Sequence, residues 1–477
     1  MRSRARVLLK SFGGVGLGAL LLPASASAHG IVGKADLPIP VWLFSWAAAV
    51  VLVVSFVALS VLWTRPQLQR EHRRALFALP RAVEWLASMV GLGLFTLVVY
   101  SGLAGAQVWS VNFSVTFIYV VFWVGMPFLS VLCGDIFRAF SPWRTCARLL
   151  RAGLDAIAPG GARSAPLRYP EWLGLWPAVA TLVGFAWLEL VYPVPNRDQP
   201  SLLAALSLGY FLATLGAMLL FGVDEWGEQA DGFGVYFNLL SRLSVLVRGE
   251  DGVVYLRRPL SGLTDLPVRR GTVALLCAII GTTTFDGFSN GGIWRTSEPS
   301  LQSLFADLGL GQMAALELAY SLGLVACIGV IAAVYRLGIL GVHSVSRRYD
   351  VRHLMRDFAH TLAPIGFAYV LAHYFSLLIW QGQAMVYLVS DPLGNGANLL
   401  GTDSYQINYL IISYAAIWYV QVAALLGGHV GGLALAHDRA LAIYRNPEEA
   451  LRSQYWMLAV MVAFTSFGLW LLSAVGT

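Results

Sequence analysis

Asp286, Glu317 and His373 are ionisable side chains set inside long apolar stretches, where inserting a charge costs at least about 2.5 kcal/mol and so needs a reason. A set of carboxylates and an imidazole can hold a divalent metal, and a metal with an open position acidifies bound water for attack on an ester or phosphoester. Without a metal, the same groups can serve as general base or relay protons through a transporter. A second pair, His360 and His429, lies toward the other side with Asp135, Asp357 and His437, and could ligate a metal or flank a b-type haem. Glu189 closes another apolar run. His29, were it the first residue of a processed chain, would offer its ring nitrogen and free amine to copper. Zinc or copper is therefore the expected cofactor class. The signatures His-Glu-x-x-His and Gly-x-x-x-x-Gly-Lys are absent from the sequence.

The elements that must carry these groups follow from composition. Of 477 residues, 57% are hydrophobic and 12% charged, and the mean hydropathy is +0.67. That excludes a string of soluble domains, a disordered chain or a coiled coil. No hydrophilic stretch is long enough to fold into a nucleic-acid-binding face. Arg2, Arg4, Arg6 and Lys10 precede an apolar run to about Leu22 and then Ala26-Ser27-Ala28, the pattern of a signal peptide over 1–28 with cleavage before His29. About ten further runs, near 40–63, 83–104, 113–137, 172–192, 202–222, 271–289, 312–335, 359–381, 406–432 and 455–475, are long enough to span a bilayer as helices. None alternates like a lipid-facing barrel strand. The expected fold is an all-α polytopic bundle, with residues 29–477 as one membrane domain.

Loops after the first, third, fifth, seventh and ninth runs carry the arginines, among them Arg73, Arg138, Arg257, Arg356 and Arg439. The positive-inside rule makes those loops cytoplasmic, and the mature amino terminus and carboxyl terminus then face out of the cytoplasmic (inner) membrane. Cys133, Cys146, Cys277 and Cys327 fall in or beside apolar runs and imply no disulfide framework. Residues 235–243, within the longest arginine-bearing loop, read as a helix lying along the membrane interface.

Pairing the outer ends of the eighth and ninth runs puts His360 and His429 within about 3 Å in depth and His373 level with Tyr414. Glu317 falls within about 5 Å of the His373 level, and Asp286 within roughly a turn and a half. Tyr369, His373, Ser376 and Trp380 form a stripe on one helix, and Tyr414, Trp418, Gln421 and His429 a matching one on the next. The two helices are expected to face each other, with outer loops 290–311 and 382–404, carrying Trp294 and Asp391, over the outer cluster.

The chain resembles the bacterial multi-spanning membrane proteins known as fenitrothion hydrolases. The resemblance rests on His29-Gly30, Asp36-Leu37-Pro38-Ile39-Pro40, Thr284-Phe285-Asp286-Gly287-Phe288, His360-Thr361-Leu362-Ala363-Pro364, Ala372-His373-Tyr374-Phe375-Ser376, Gly428-His429 and Ala436-His437-Asp438-Arg439-Ala440. It implies hydrolysis of an organophosphate triester at its P–O–aryl bond, and importance for Asp286, His360, His373 and His429, without fixing their roles. The expected function is therefore a membrane-embedded hydrolase, metal-dependent or not, acting on an apolar ester that partitions into lipid. Asp286, Glu317 and His373 would be its metal ligands or general base. The alternatives are a proton- or metal-coupled transporter or copper-handling protein, and a haem-bearing redox protein on His360 and His429.

Overall fold

The computed structural model describes residues 41–69, 72–157, 165–193, 196–444 and 446–474. The signal-peptide and His29 expectations lie outside them.

Each of the ten apolar runs contains a helix among the described residues. The first is α1 (Val41–Leu62). After strand β1 (Arg73–Ala78) come α2 (Arg81–Ala104) and α3 (Phe113–Cys133), followed by the amphipathic α4 (Pro142–Ile157). The next pair is α5 (Trp176–Leu190) and α6 (Pro200–Phe221). A long connection holds α7 (Gly232–Ser241), β2 (Leu246–Arg248) and β3 (Val253–Arg257). The rest of the chain forms α8 (Thr272–Ser289), α9 (Gly292–Asp307), α10 (Gln312–Val345), α11 (Leu362–Gln381), α12 (Tyr414–Ile443) and α13 (Pro447–Ala474). Among the described residues, seven helical segments are long and apolar enough to cross a membrane: α2, α3, α6, α8, α10, α12 and the stretch Ala359–Leu388 that contains α11. At 15 residues α5 reaches only about 22 Å, short of a roughly 30 Å hydrocarbon core.

Three features depart from the sequence reading. The fold is not purely helical, because β1, β3 and β2 form a three-stranded antiparallel sheet in that order. Arg73 pairs with Arg257 and Ala78 with Val253, while Leu246 faces Leu256. The run Val253-Val254-Tyr255 has the β-branched and aromatic content strands favour, and Gly252, at φ +78°, makes the turn before it. Next, α7 does not lie along the interface. It is buried on nearly every face, as a helix apolar all round must be, and Asp231 caps it by accepting from the Gly234 N–H. Finally, the register of α11 against α12 is shifted. A Cβ on Gly428 would fall 2.3 Å from the Ala368 Cβ, and one on Gly432 2.9 Å from the Thr361 carbonyl. His373 therefore sits level with about residue 420, and His360 about a turn from the level of His429. The cause is local: the apolar residues 406–413 are not helical, since Asn408 folds a turn by accepting from the Leu410 N–H at 2.9 Å, and Gln383 holds Tyr405 and Asn408.

The arginine-bearing segments gather on one face. Asp438, fully buried, accepts from Trp63 Nε1 at 3.0 Å, Gln67 N at 2.5 Å, Leu68 N at 3.1 Å and Gln69 Nε2 at 2.8 Å. His437 bridges Gln454 and the Trp63 carbonyl, and Arg439 donates to Gln69 and Asp357. The loop before α8 joins through Thr264 to Leu68 and through Arg356 to Val268. The loop after α3 joins through Asn238 to Asp135 and Ser244 to Leu132. Alternate loops thus end at one level, as the arginine count requires.

Asp438→Ala would strand four donors at once. We expect a loss of about 3–5 kcal/mol, read as a lower unfolding temperature in detergent and faster proteolysis within residues 63–69. Wild-type behaviour in both measurements would show that the carboxylate does not hold this face together.

Candidate functional site

Helix α8 is the central post of the bundle, buried along almost its whole length. Small residues admit it: a Cβ on Gly281 would lie 2.6 Å from the Ile328 Cα of α10. Its neighbouring residues Phe285 and Asp286 face different partners, being about 100° apart around the helix. Phe285 packs against Trp294 of α9 and Tyr320 of α10, with ring centroids at 5.3 and 6.0 Å. Asp286 turns instead to α11, where its Oδ2 accepts from His373 Nε2 at 2.7 Å and from the Tyr374 hydroxyl at 2.8 Å. Asp286 is 1% exposed, and both partners are buried. The His373 and Tyr374 rings stand nearly perpendicular, 4.6 Å apart.

The surroundings are aromatic and close-packed. A π-helical stretch at Phe117–Gly125 interrupts α3; such widened turns recur at functional sites. It carries Trp123, whose ring meets Phe185 of α5 at 4.6 Å and Tyr236 of α7 at 5.5 Å. Beside Tyr374, a cavity of about 10 Å³ is bounded by Trp123, Tyr236, Thr282, Thr283 and Val370, room for one water molecule. The Thr282, Thr283 and Thr284 hydroxyls donate to carbonyls one turn back in α8. On α5, Glu189 interacts electrostatically with Asp286, and Arg197 donates to the Glu189 carbonyl at 2.9 Å.

Of the outer residues expected from sequence, Asp286 and His373 meet, and Glu317 does not join them. Its helix, α10, meets the Phe285 side of α8, and Glu317 is half-buried with its carbonyl accepting from Ser321 at 2.6 Å. Among the described residues no three His, Cys, Asp or Glu side chains form a group that could hold a metal ion. The expected three-residue set of Asp286, Glu317 and His373 is therefore not assembled here. His429 donates from Nδ1 to the Leu425 carbonyl at 2.7 Å, and its ring lies near Tyr369 and Phe464 at 6.3 and 6.1 Å. A cavity of about 60 Å³ nearby is bounded by Thr361, Ile365, Met461 and Phe464, and neither His360 nor His429 lines it.

The two stripes do meet, as expected: Trp380 packs edge-on to Tyr414 at 5.7 Å. Trp294 is buried over the Asp286 end of α8, whereas Asp391 accepts from the Asn395 and Gly396 N–H groups of its own loop. Tyr374 escaped the sequence reading because it falls outside the stripe through His373. Asp286 lies in the groove between α11's two faces and so reaches both residues.

Chemically, the site is an imidazole oriented by a buried carboxylate, with a phenol on the same oxygen. Among the described residues, the hydrogen bond to Asp286 is the only one the His373 ring makes. Among the described residues, no serine, threonine or cysteine side chain hydrogen-bonds to the His373 ring. Tyr374→Phe should cost about 1–2 kcal/mol. His373→Ala, which leaves a buried carboxylate short of its partner, should cost about 3 kcal/mol or more. A double-mutant cycle on unfolding in detergent should give a coupling of at least about 0.5 kcal/mol, and strict additivity would separate the two contacts. No family description, curated protein or solved structure matches this chain, so its function is argued from the chemistry of this site.

Proposed function

We propose that this chain is a proton-handling membrane protein in which the Asp286–His373 pair takes up and releases a proton, as the ion-binding sites of proton-coupled transporters do. The observation that carries the reading is a carboxylate, 1% exposed, shared by an imidazole and a phenol inside a helical bundle. Ionisable groups at such positions are costly to keep and commonly mark proton or ion pathways. Glu189 on α5 supplies a second carboxylate in electrostatic reach of Asp286. The cavity beside Tyr374 accommodates one relaying water. With the arginine face in the cytoplasm of a bacterial inner membrane, the pair belongs to the outer half of the bundle.

A second reading keeps the hydrolase expectation. An imidazole held by a carboxylate is also a general base, and a single water beside Tyr374 would be its nucleophile for an apolar ester arriving from the lipid. The close packing around Asp286 favours the proton reading, since the cavity next to the pair is far too small for an aryl phosphotriester.

Infrared difference spectra of the purified protein across a pH titration separate the two readings from a purely structural pair. Wild type should give a carboxyl protonation band that Asp286→Asn lacks and His373→Gln displaces. The hydrolase reading requires nitrophenol release from an aryl phosphotriester, lost in Asp286→Asn and His373→Ala. Identical infrared bands in wild type and Asp286→Asn would overturn the proton assignment, whatever the ester assay shows.

A further inference from the structure

An apolar cavity elsewhere in the bundle plays no part in the Asp286 chemistry. It measures about 470 Å³ and runs between α2, α3, α5 and α6, with walls that include Phe95, Phe117, Phe122, Phe185 and Leu206 and no Asp, Glu, Lys, Arg or His. Both α2 and α6 are mostly exposed along their length, so the cavity adjoins the lipid-facing side of the bundle. Water gains nothing in such a space, because its lining offers few hydrogen bonds. A transmembrane helix, about 10–12 Å across, does not fit within this volume. A single flexible hydrocarbon chain does.

One end of the cavity is bounded by Phe137, Phe140, Pro142 and Trp143, the residues that interleave with the basic cluster of the arginine face. Arg138 pairs with Asp224 at 3.0 Å and Glu228 at 3.7 Å, and Arg144 pairs with the same Asp224 carboxylate. Arg148, one turn beyond Arg144 on α4, is exposed. The ion pairs of this cluster join Arg138 and Arg144 to Asp224 and Glu228, with Arg148 exposed beside them. Burial, and then the Arg138 charge, holds the Arg144 guanidinium below its ordinary value. The far side of α4 exposes Leu149, Leu150, Leu154 and Ile157. A helix with arginines on one side and leucines on the other lies at the boundary between headgroups and acyl chains. The apolar cavity and the cationic cluster therefore meet at headgroup depth.

From this juxtaposition we infer that the cavity is a built-in site for one anionic phospholipid of the adjoining leaflet, with an acyl chain between α2, α3, α5 and α6 and the phosphate against Arg138 and Arg148. The walls supply affinity through apolar burial, at about 25 cal/mol per Å², and the guanidiniums supply preference for a phosphate that carries net negative charge.

Gly184 of α5 lines the cavity, and a Cβ there would meet no atom within 4 Å. Leucine at this position starts from a Cβ that displaces nothing and adds bulk at the cavity wall. Gly216 of α6 is equally unobstructed but does not line the cavity, so it serves as the control. The protein is purified in mild detergent, equilibrated with equal amounts of phosphatidylglycerol and phosphatidylcholine, and examined by native mass spectrometry. Wild type and Gly216→Leu should each retain one phospholipid, with phosphatidylglycerol favoured at least fivefold. Gly184→Leu should lose retention at least fivefold. The double variant Arg138→Gln with Arg148→Gln should keep a lipid but lose the headgroup preference. Should Gly184→Leu unfold early, Ser207→Trp blocks the same cavity from α6. The inference is overturned by wild-type retention in a folded cavity-filling variant, by equal retention of the two lipids in wild type, or by a lipid-free dimer that the filled variant dissociates. None of these readings depends on Asp286 or His373.

Discussion

A carboxylate removed from water inside a bundle of helices has to be met by donors, or the bundle does not form around it. The effective penalty is several kcal/mol per buried ion even after relaxation. Asp286 meets the requirement with two donors from consecutive residues of one helix, His373 and Tyr374. That dictates geometry over a wide radius. Helix α11 must present a groove rather than a face to α8. The preceding residue of α8, Phe285, about 100° around the helix, is thereby directed to a different side, where it seats Trp294 and Tyr320. The interior helix α7 and the π-helical turn of α3 then close the remaining side with Tyr236 and Trp123. Most of the aromatic packing at the centre of the molecule can be traced outward from this one oxygen.

Between apolar helices in lipid there is little hydrophobic drive, so backbones must come close enough for dispersion to act. Glycine provides the approach at the positions that matter. Gly428 and Gly432, four residues apart on α12, lie against Pro364, Ala368 and Thr361, and Gly341 of α10 lies under the Trp456 ring. These contacts, rather than side-chain polarity, set the depth at which His360, His373 and His429 sit. The polar groups follow the register that the glycines impose.

That ordering explains what the sequence discloses. Hydropathy reveals the helices, because each run must satisfy its own backbone in lipid, and arginine placement reveals which loops share a face. Both are local properties of the chain. The pairing of Asp286 with His373 was legible as two costly residues of matching depth, whereas the exclusion of Glu317 was not. Its helix packs on the other side of α8, and nothing in the spacing of Glu317 announces that. Tyr374 was hidden by a stripe rule that assigns one face per helix. The register error came from residues 406–413, which are apolar enough to pass for helix but are folded by Asn408 and Gln383. The sheet went unseen because β1, β2 and β3 are short and take their stability from one another across distant parts of the chain.

That distance bears on how the protein is made. Strand β1 leaves the ribosome ahead of α2, yet its partner β3 emerges only after α2, α3, α5 and α6 have been synthesised. Through that interval Arg73–Ala78 presents unpaired backbone on the arginine side, an open edge of the kind that invites pairing with a wrong chain. The arginine pair at its start and its short length discourage such mispairing. Closure of the sheet is then a late event in biogenesis, one that reports that the first half of the bundle has been threaded and docked correctly.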